Sequence, residues 1–127
     1  MKVGNYKDVK QEKVDHLLPG AKGANIRWLI GDDLGKNFLL RRYDFDPNAT
    51  IPLHTHSHEH QMYVLSGSGA VLDKDGEHKI GSGDFVYIEN NELHGFKNLS
   101  SNETFTFLCI VPKERASTNP YETSEIK

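Results

Sequence analysis

The chain has 127 residues, with 15 lysines and arginines against 18 aspartates and glutamates, a formal net charge of -3, and 36% hydrophobic residues. That length specifies one domain with a real core. The mixed, slightly acidic charge argues against a basic nucleic-acid-binding face, and no apolar run approaches the ~20 residues of a membrane helix. The opening stretch MKVGNYKDVKQEKVDH is charged throughout and holds no apolar targeting segment. A single cysteine, Cys109, excludes an internal disulfide. Together these features predict a soluble, cytoplasmic protein.

From Met1 to Gly23 only sparse apolar residues (Val3, Tyr6, Val9, Val14, Leu17, Leu18) stand among charges. The segment reads as a short strand or extended arm, then a loop ending at Pro19-Gly20. In ANIRWLI, Ile26, Trp28 and Ile30 alternate with Arg27 and Leu29, which fits a strand. Gly31 to Gly35 is a turn. Phe38 to Phe45 forms a second strand, with Leu39, Arg41, Tyr43 and Phe45 on one face; Asp46-Pro47-Asn48 is expected to break it. An arginine on an otherwise apolar inward face needs an anionic or carboxylate partner. The opposite facing, with Leu40 and Asp44 inward, stays open.

The run PLHTHSHEHQMYVLSG, Pro52 to Gly67, carries four of the seven histidines, at positions 54, 56, 58 and 60. On an extended strand residues i and i+2 share a face, so His54 and His56 point together, and His60 returns to that face from the next strand or turn. Imidazole is the commonest side-chain metal ligand, and here the cluster feeds into the apolar strand Met62-Tyr63-Val64-Leu65. A metal site on a β-scaffold is the direct reading. Short strands follow at Ala70–Leu72, His78–Ile80, Phe85–Ile88, Leu93–Asn98 and Thr104–Val111, separated by turns rich in glycine, asparagine and aspartate. Strands at this spacing, with no helical periodicity, predict an all-β sandwich or barrel. Lys113 to Lys127 is a polar tail. Cys109 shares a face with Phe105 and Phe107 and reads as a small buried hydrophobe. Glu59 is expected to face solvent, His16 and His78 to lie on the surface, and His58 either to support the metal ligands from behind or from the rim of the site or to be simply exposed.

HTHSHEHQMYVLSG resembles the first cupin motif, G-x5-H-x-H-x3-4-E-x6-G, with Asn48 at the leading glycine and His60 at the glutamate. GDFVYIENNELHGFKN resembles the second, G-x5-P-x-G-x2-H-x3-N, with Glu89 at the proline and Asn91 at the second glycine; His94 and Asn98 match. Asparagine tolerates the left-handed turn conformation better than most residues. The resemblance is closest to the small single-domain cupins whose metal is held by four histidines. It implies a double-stranded β-helix (jelly-roll) barrel over residues 24–112. An N-terminal arm over residues 1–23 would pair with a partner sheet in a homodimer, and residues 113–127 would form the tail.

The same resemblance implies one divalent transition-metal ion per chain, on His54, His56, His60 and His94. Manganese and iron are favoured, with nickel, copper and zinc as alternatives. The last strand would line the cavity, so that Phe107 and Cys109, with Met62, Phe96 and Arg41, form a pocket for a small molecule. Neutral His60 in place of a carboxylate leaves the ion's charge uncompensated, which favours anionic oxygen ligands. The function implied is that of a metal-dependent oxygenase of dioxygenase type acting on a small anionic or enolisable molecule. A non-catalytic binding cupin and a metal-assisted isomerase or lyase are the alternatives.

Overall fold

The computed structural model describes residues 1–115; of the predicted tail, residues 116–127 lie outside the described residues. Alternation of apolar and polar side chains dominates the chain, and the described residues accordingly fold into antiparallel strands with two short 3-10 turns. The strands are β1 (Glu12–Lys13), β2 (Lys22–Ile30), β3 (Phe38–His54), β4 (His60–Ser66), β5 (Ser68–Asp73), β6 (Gly76–Gly81), β7 (Phe85–Ile88), β8 (His94–Asn98) and β9 (Phe105–Pro112). They lie side by side in the order β6-β5-β8-β3-β9-β4-β7, with β2 also on β3 and β1 on β2.

The long strand β3 makes this sheet curl. Its first part, Phe38 to Phe45, pairs with β2 and β9, whereas Thr50, Ile51 and His54 pair with residues of β8. One strand thus serves both walls of a half-barrel, and the expected all-β, double-stranded β-helix architecture is met. Inward positions of β3 and β9 (Leu39, Tyr43, Phe45, Phe105, Phe107, Val111) are almost wholly buried and interdigitate as the core. Phe45 meets Phe105 edge-on at 6.0 Å, and Tyr43 stacks on Phe107 at 5.0 Å.

One expectation requires correction. Asp46-Pro47-Asn48 does not end β3. The pairing with β2 passes from Ala24–Phe45 to Lys22–Thr50, so the extra residues are accommodated as a bulge within one strand. Pro47, which lacks an N–H, is tolerated at such a bulge, and Asn48 takes a left-handed φ of 62°. The bulge is tied down by Asn98, whose Nδ2 donates to the carbonyls of Phe45, Asp46 and Glu103 at 3.1, 3.1 and 2.7 Å. The N-terminal segment, expected to be a strand or extended arm, contains 3-10 turns at Tyr6–Asp8 and Val14–His16 around the two-residue β1. It lies on its own barrel: Glu12 and Lys13 pair with Ile26 and Asn25, Val14 is fully buried, and Arg42 stacks on the Tyr6 ring at 3.6 Å. No helix among the described residues is long and apolar enough to cross a membrane.

Where β3 passes β8 the backbones come unusually close, at Gly95, between His94 and Phe96. A Cβ at Gly95 would lie 2.7 Å from the Ile51 carbonyl oxygen and 3.0 Å from the Pro52 carbonyl carbon. Backbone cannot give way there without moving His54 away from its register partner His94. Gly95→Ala is therefore expected to lower unfolding free energy by about 1–3 kcal/mol, measured by urea denaturation. A variant as stable as the parent would show that the two strands can separate at no cost.

Candidate metal centre

The end of β3, the five-residue link that follows it, and the starts of β4 and β8 bring five histidines together. His56, His58, His60 and His94 are buried, and His54 is partly so. Ring centroids lie 4.5 Å apart for His54–His56 and His54–His94, 5.2 Å for His56–His94, 4.9 Å for His56–His60 and 5.1 Å for His60–His94. His56 is central, within about 5 Å of every other member.

Two of these rings are fixed by their own backbone. His54 Nδ1 is 2.7 Å from the Pro52 carbonyl oxygen, and His94 Nδ1 is 2.7 Å from that of Glu92. A carbonyl only accepts, so in both rings Nδ1 donates and Nε2 keeps a lone pair. A ligating histidine is oriented in this way in known metal sites. One nitrogen from each of His54, His56 and His94 lies within 4.8 Å of the others, and the same holds for His56, His58 and His60. Neutral nitrogen donors, buried and convergent, fit a divalent first-row ion.

His60 is held by side chains instead. Arg41 is completely buried and points into the barrel. Its Nη1 donates to the Tyr43 hydroxyl at 3.0 Å, and its Nη2 donates to Cys109 Sγ at 2.9 Å and lies 3.0 Å from His60 Nδ1. A guanidinium only donates, so Nδ1 is the acceptor on that contact and Nε2, itself buried, lies on the other side of the ring. Cys109 Sγ sits 3.3 Å from the same Nδ1. Register explains the grouping, since Arg41 faces both Trp28 on β2 and Cys109 on β9, and Cys109 faces Met62 on β4. The guanidinium also lies 5.4 Å from the centre of the Trp28 ring and 5.3 Å from that of Tyr43.

The other residues singled out in the sequence divide as follows. Phe96 packs on His94 with ring centroids 5.6 Å apart, and Phe107 lies behind Phe96 at 5.6 Å. Met62 is buried two residues after His60 on the same inward face. A cavity of about 230 Å³ between β5, β6 and β7 has His94 in its wall, along with Val71, Val86, Ile88 and Leu93. Glu59 is turned to the exposed Tyr87: their hydrogen bond, then desolvation, raises that phenol's pKa above its ordinary value. His16 is exposed. His78 pairs on the surface with Asp73 at 2.8 Å; the Asp73 carboxyl is held below its usual range, first by the Asp75 N–H and then by His78.

The sequence left open whether His58 supports the metal site from behind or from its rim or is simply exposed; it is 4% exposed and stacks on His56 at 5.0 Å, which removes plain exposure. Its signal was the even spacing of positions 54, 56, 58 and 60. The Trp28 contact with Arg41 had no signal, since it depends on cross-strand register, whereas Tyr43 shares a face of β3 with Arg41 by alternation alone.

Residues 41–111 match the cupin domain family. A solved structure of the polyketide cyclase RemF from Streptomyces resistomycificus is 36% identical, covering 96% of this chain and 91% of that one, with a TM-score of 0.83. An oxalate-binding protein from Thermotoga maritima is 23% identical over 107 residues, 82% of this chain and 88% of its own. A sugar phosphate isomerase of the cupin superfamily from Silicibacter pomeroyi is similar in fold, with a TM-score of 0.68 at 20% identity, over 85% of this chain and 73% of that one.

Proposed function

Because this chain belongs to the cupin family, we propose that it is a metal-dependent enzyme for a small, enolisable organic molecule, with one divalent ion per chain on His54, His56, His60 and His94. The observation that carries this reading is the pair of rings, His54 and His94, each oriented by a backbone carbonyl that accepts from Nδ1, which makes Nε2 the lone-pair nitrogen. An all-imidazole set suits iron, nickel, copper and zinc better than manganese, which prefers carboxylate oxygen. Of the two metals favoured by the family resemblance, iron is thus the better match. The ion would supply Lewis acidity toward a carbonyl or enol oxygen.

The chain's own groups do the rest. His60, standing where a carboxylate is commoner, adds no negative charge, and Arg41 behind it adds a positive one, so the site favours an anionic oxygen ligand. Phe96 and Phe107 give an apolar wall, with Met62 and Cys109 beside them, and a cavity of about 230 Å³ reaches His94. The 36% identity with a polyketide cyclase over nearly the whole chain favours a redox-neutral reaction such as ring closure of an enolisable polyketone. Oxygenation of the dioxygenase type is the second reading, supported by the ligand positions that four histidines leave free on a six-coordinate ion.

Three measurements check these statements. Elemental analysis should find one ion per chain, and alanine at His54, His56, His60 or His94 should each weaken metal binding, whereas His16→Ala should not. Ligating imidazoles must be neutral, so affinity should fall as pH drops through about 6.5; constant affinity between about pH 5 and 8 would rule out imidazole ligation. With an oxygen electrode, turnover of a poly-β-keto substrate is expected to consume no dioxygen, and stoichiometric uptake would instead establish the oxygenase.

A homodimer is the oligomeric state this reading carries. Tyr63, Phe85, Tyr87 and Ile110 are exposed on the outer face of β4, β7 and β9, around a groove of about 290 Å³. An apolar sheet face of this kind favours a second copy of the chain as its cover. Phe85, 82% exposed, is the residue to change: Phe85→Asp should shift light-scattering mass from dimer to monomer without loss of fold. An unchanged mass would place the interface elsewhere.

A further inference from the structure

We infer that His58 is a metal ligand in its own right, and that His56, His58 and His60 form a second ion position overlapping the first. The inference rests on the metal-binding reading above and extends it to a residue outside the four-histidine set. His58 lies in the link between β3 and β4, where a solvent-facing side chain would cost nothing, yet it is 4% exposed. Its ring stacks on His56 at an interplanar angle of 17° and lies 5.1 Å from that of His60. The three residues offer nitrogens that all lie within 4.8 Å of one another, the same closeness that unites His54, His56 and His94. The group that these positions form among the described residues consists of imidazoles. With Nδ1 of His60 turned to Arg41 and Cys109, its Nε2 is the atom that serves this set.

Three imidazoles and a water suffice to hold a first-row ion. His56 belongs to both sets and cannot give one lone pair to two ions, so the positions are alternatives and the stoichiometry stays at one. The consequence is chemical. An ion held by His56, His58 and His60 stays in the protein while the places of His54 and His94 are open to substrate oxygens.

The test uses the full chain, stripped of metal and titrated with Zn(II), comparing the parent, His54→Ala/His94→Ala, and the same pair combined with His58→Ala. The double variant is expected to bind one equivalent, more weakly than the parent, and to shift the imidazole ¹⁵N resonances of His58 on loading. Adding His58→Ala should then cost at least about tenfold more in affinity. No Zn(II) binding by the double variant, or equal affinity of the double and triple variants, would overturn the inference while leaving the four-histidine site intact. Failure of the parent to bind Zn(II) would overturn both. Should the double variant not fold, as judged by circular dichroism, His94→Ala and His94→Ala/His58→Ala replace it, with the same expectation and the same overturning result.

Discussion

His54 and His94 stand opposite each other because β3 and β8 are paired antiparallel at that point, and each ring is turned inward by a 2.7 Å hydrogen bond to a carbonyl two residues before it. The remaining cluster depends on this pair. Once their Nε2 atoms face the interior, the chain between β3 and β4 must pass over the same space, and His56 and His58 fill it. The close approach at Gly95 permits the pairing, since any side chain there would meet the β3 backbone at Ile51 and Pro52. Backbone geometry sets the position of the candidate ligands, and side-chain chemistry then sets their electronic character.

The second constraint is the charge of Arg41. A guanidinium taken wholly out of water is costly unless its donors are used and its charge is answered. Here a phenol oxygen, a sulfur and an imidazole nitrogen accept from it, and the faces of Trp28 and Tyr43 flank it. The inner end of the histidine cluster therefore lies directly against a buried guanidinium. That adjacency comes from β2, β3, β4 and β9 meeting in one register.

Two asparagines show how the chain keeps the turns of the motif while departing from its residues. Asn48 and Asn91 are the non-glycine residues with left-handed φ among those described, at 62° and 65°. They stand at the positions where the cupin motifs carry glycine. Asparagine adopts this conformation at lower cost than other side chains, so the backbone path is retained. The Asn91 N–H also reaches the His56 carbonyl, at 2.6 Å, which ties the turn before β8 to the histidine link.

The sequence by itself determined the all-β architecture, because period-two alternation and regularly spaced turn residues leave no other way to bury the apolar faces. It also determined that His54 and His56 belong together, that Leu39, Arg41, Tyr43 and Phe45 share a face, and that Cys109 lies on an apolar strand. It misjudged Asp46-Pro47-Asn48, since turn-forming residues read as a break also form a bulge when a neighbouring strand and Asn98 hold their carbonyls. It left the direction of Arg41 open, because alternation defines two faces without saying which is inside. Only the tertiary structure turned Arg41 inward against His60 and Cys109, and only it buried His58. Both outcomes depend on contacts between strands far apart in the chain, whose register is fixed by packing across the barrel and not by any local pattern of residues.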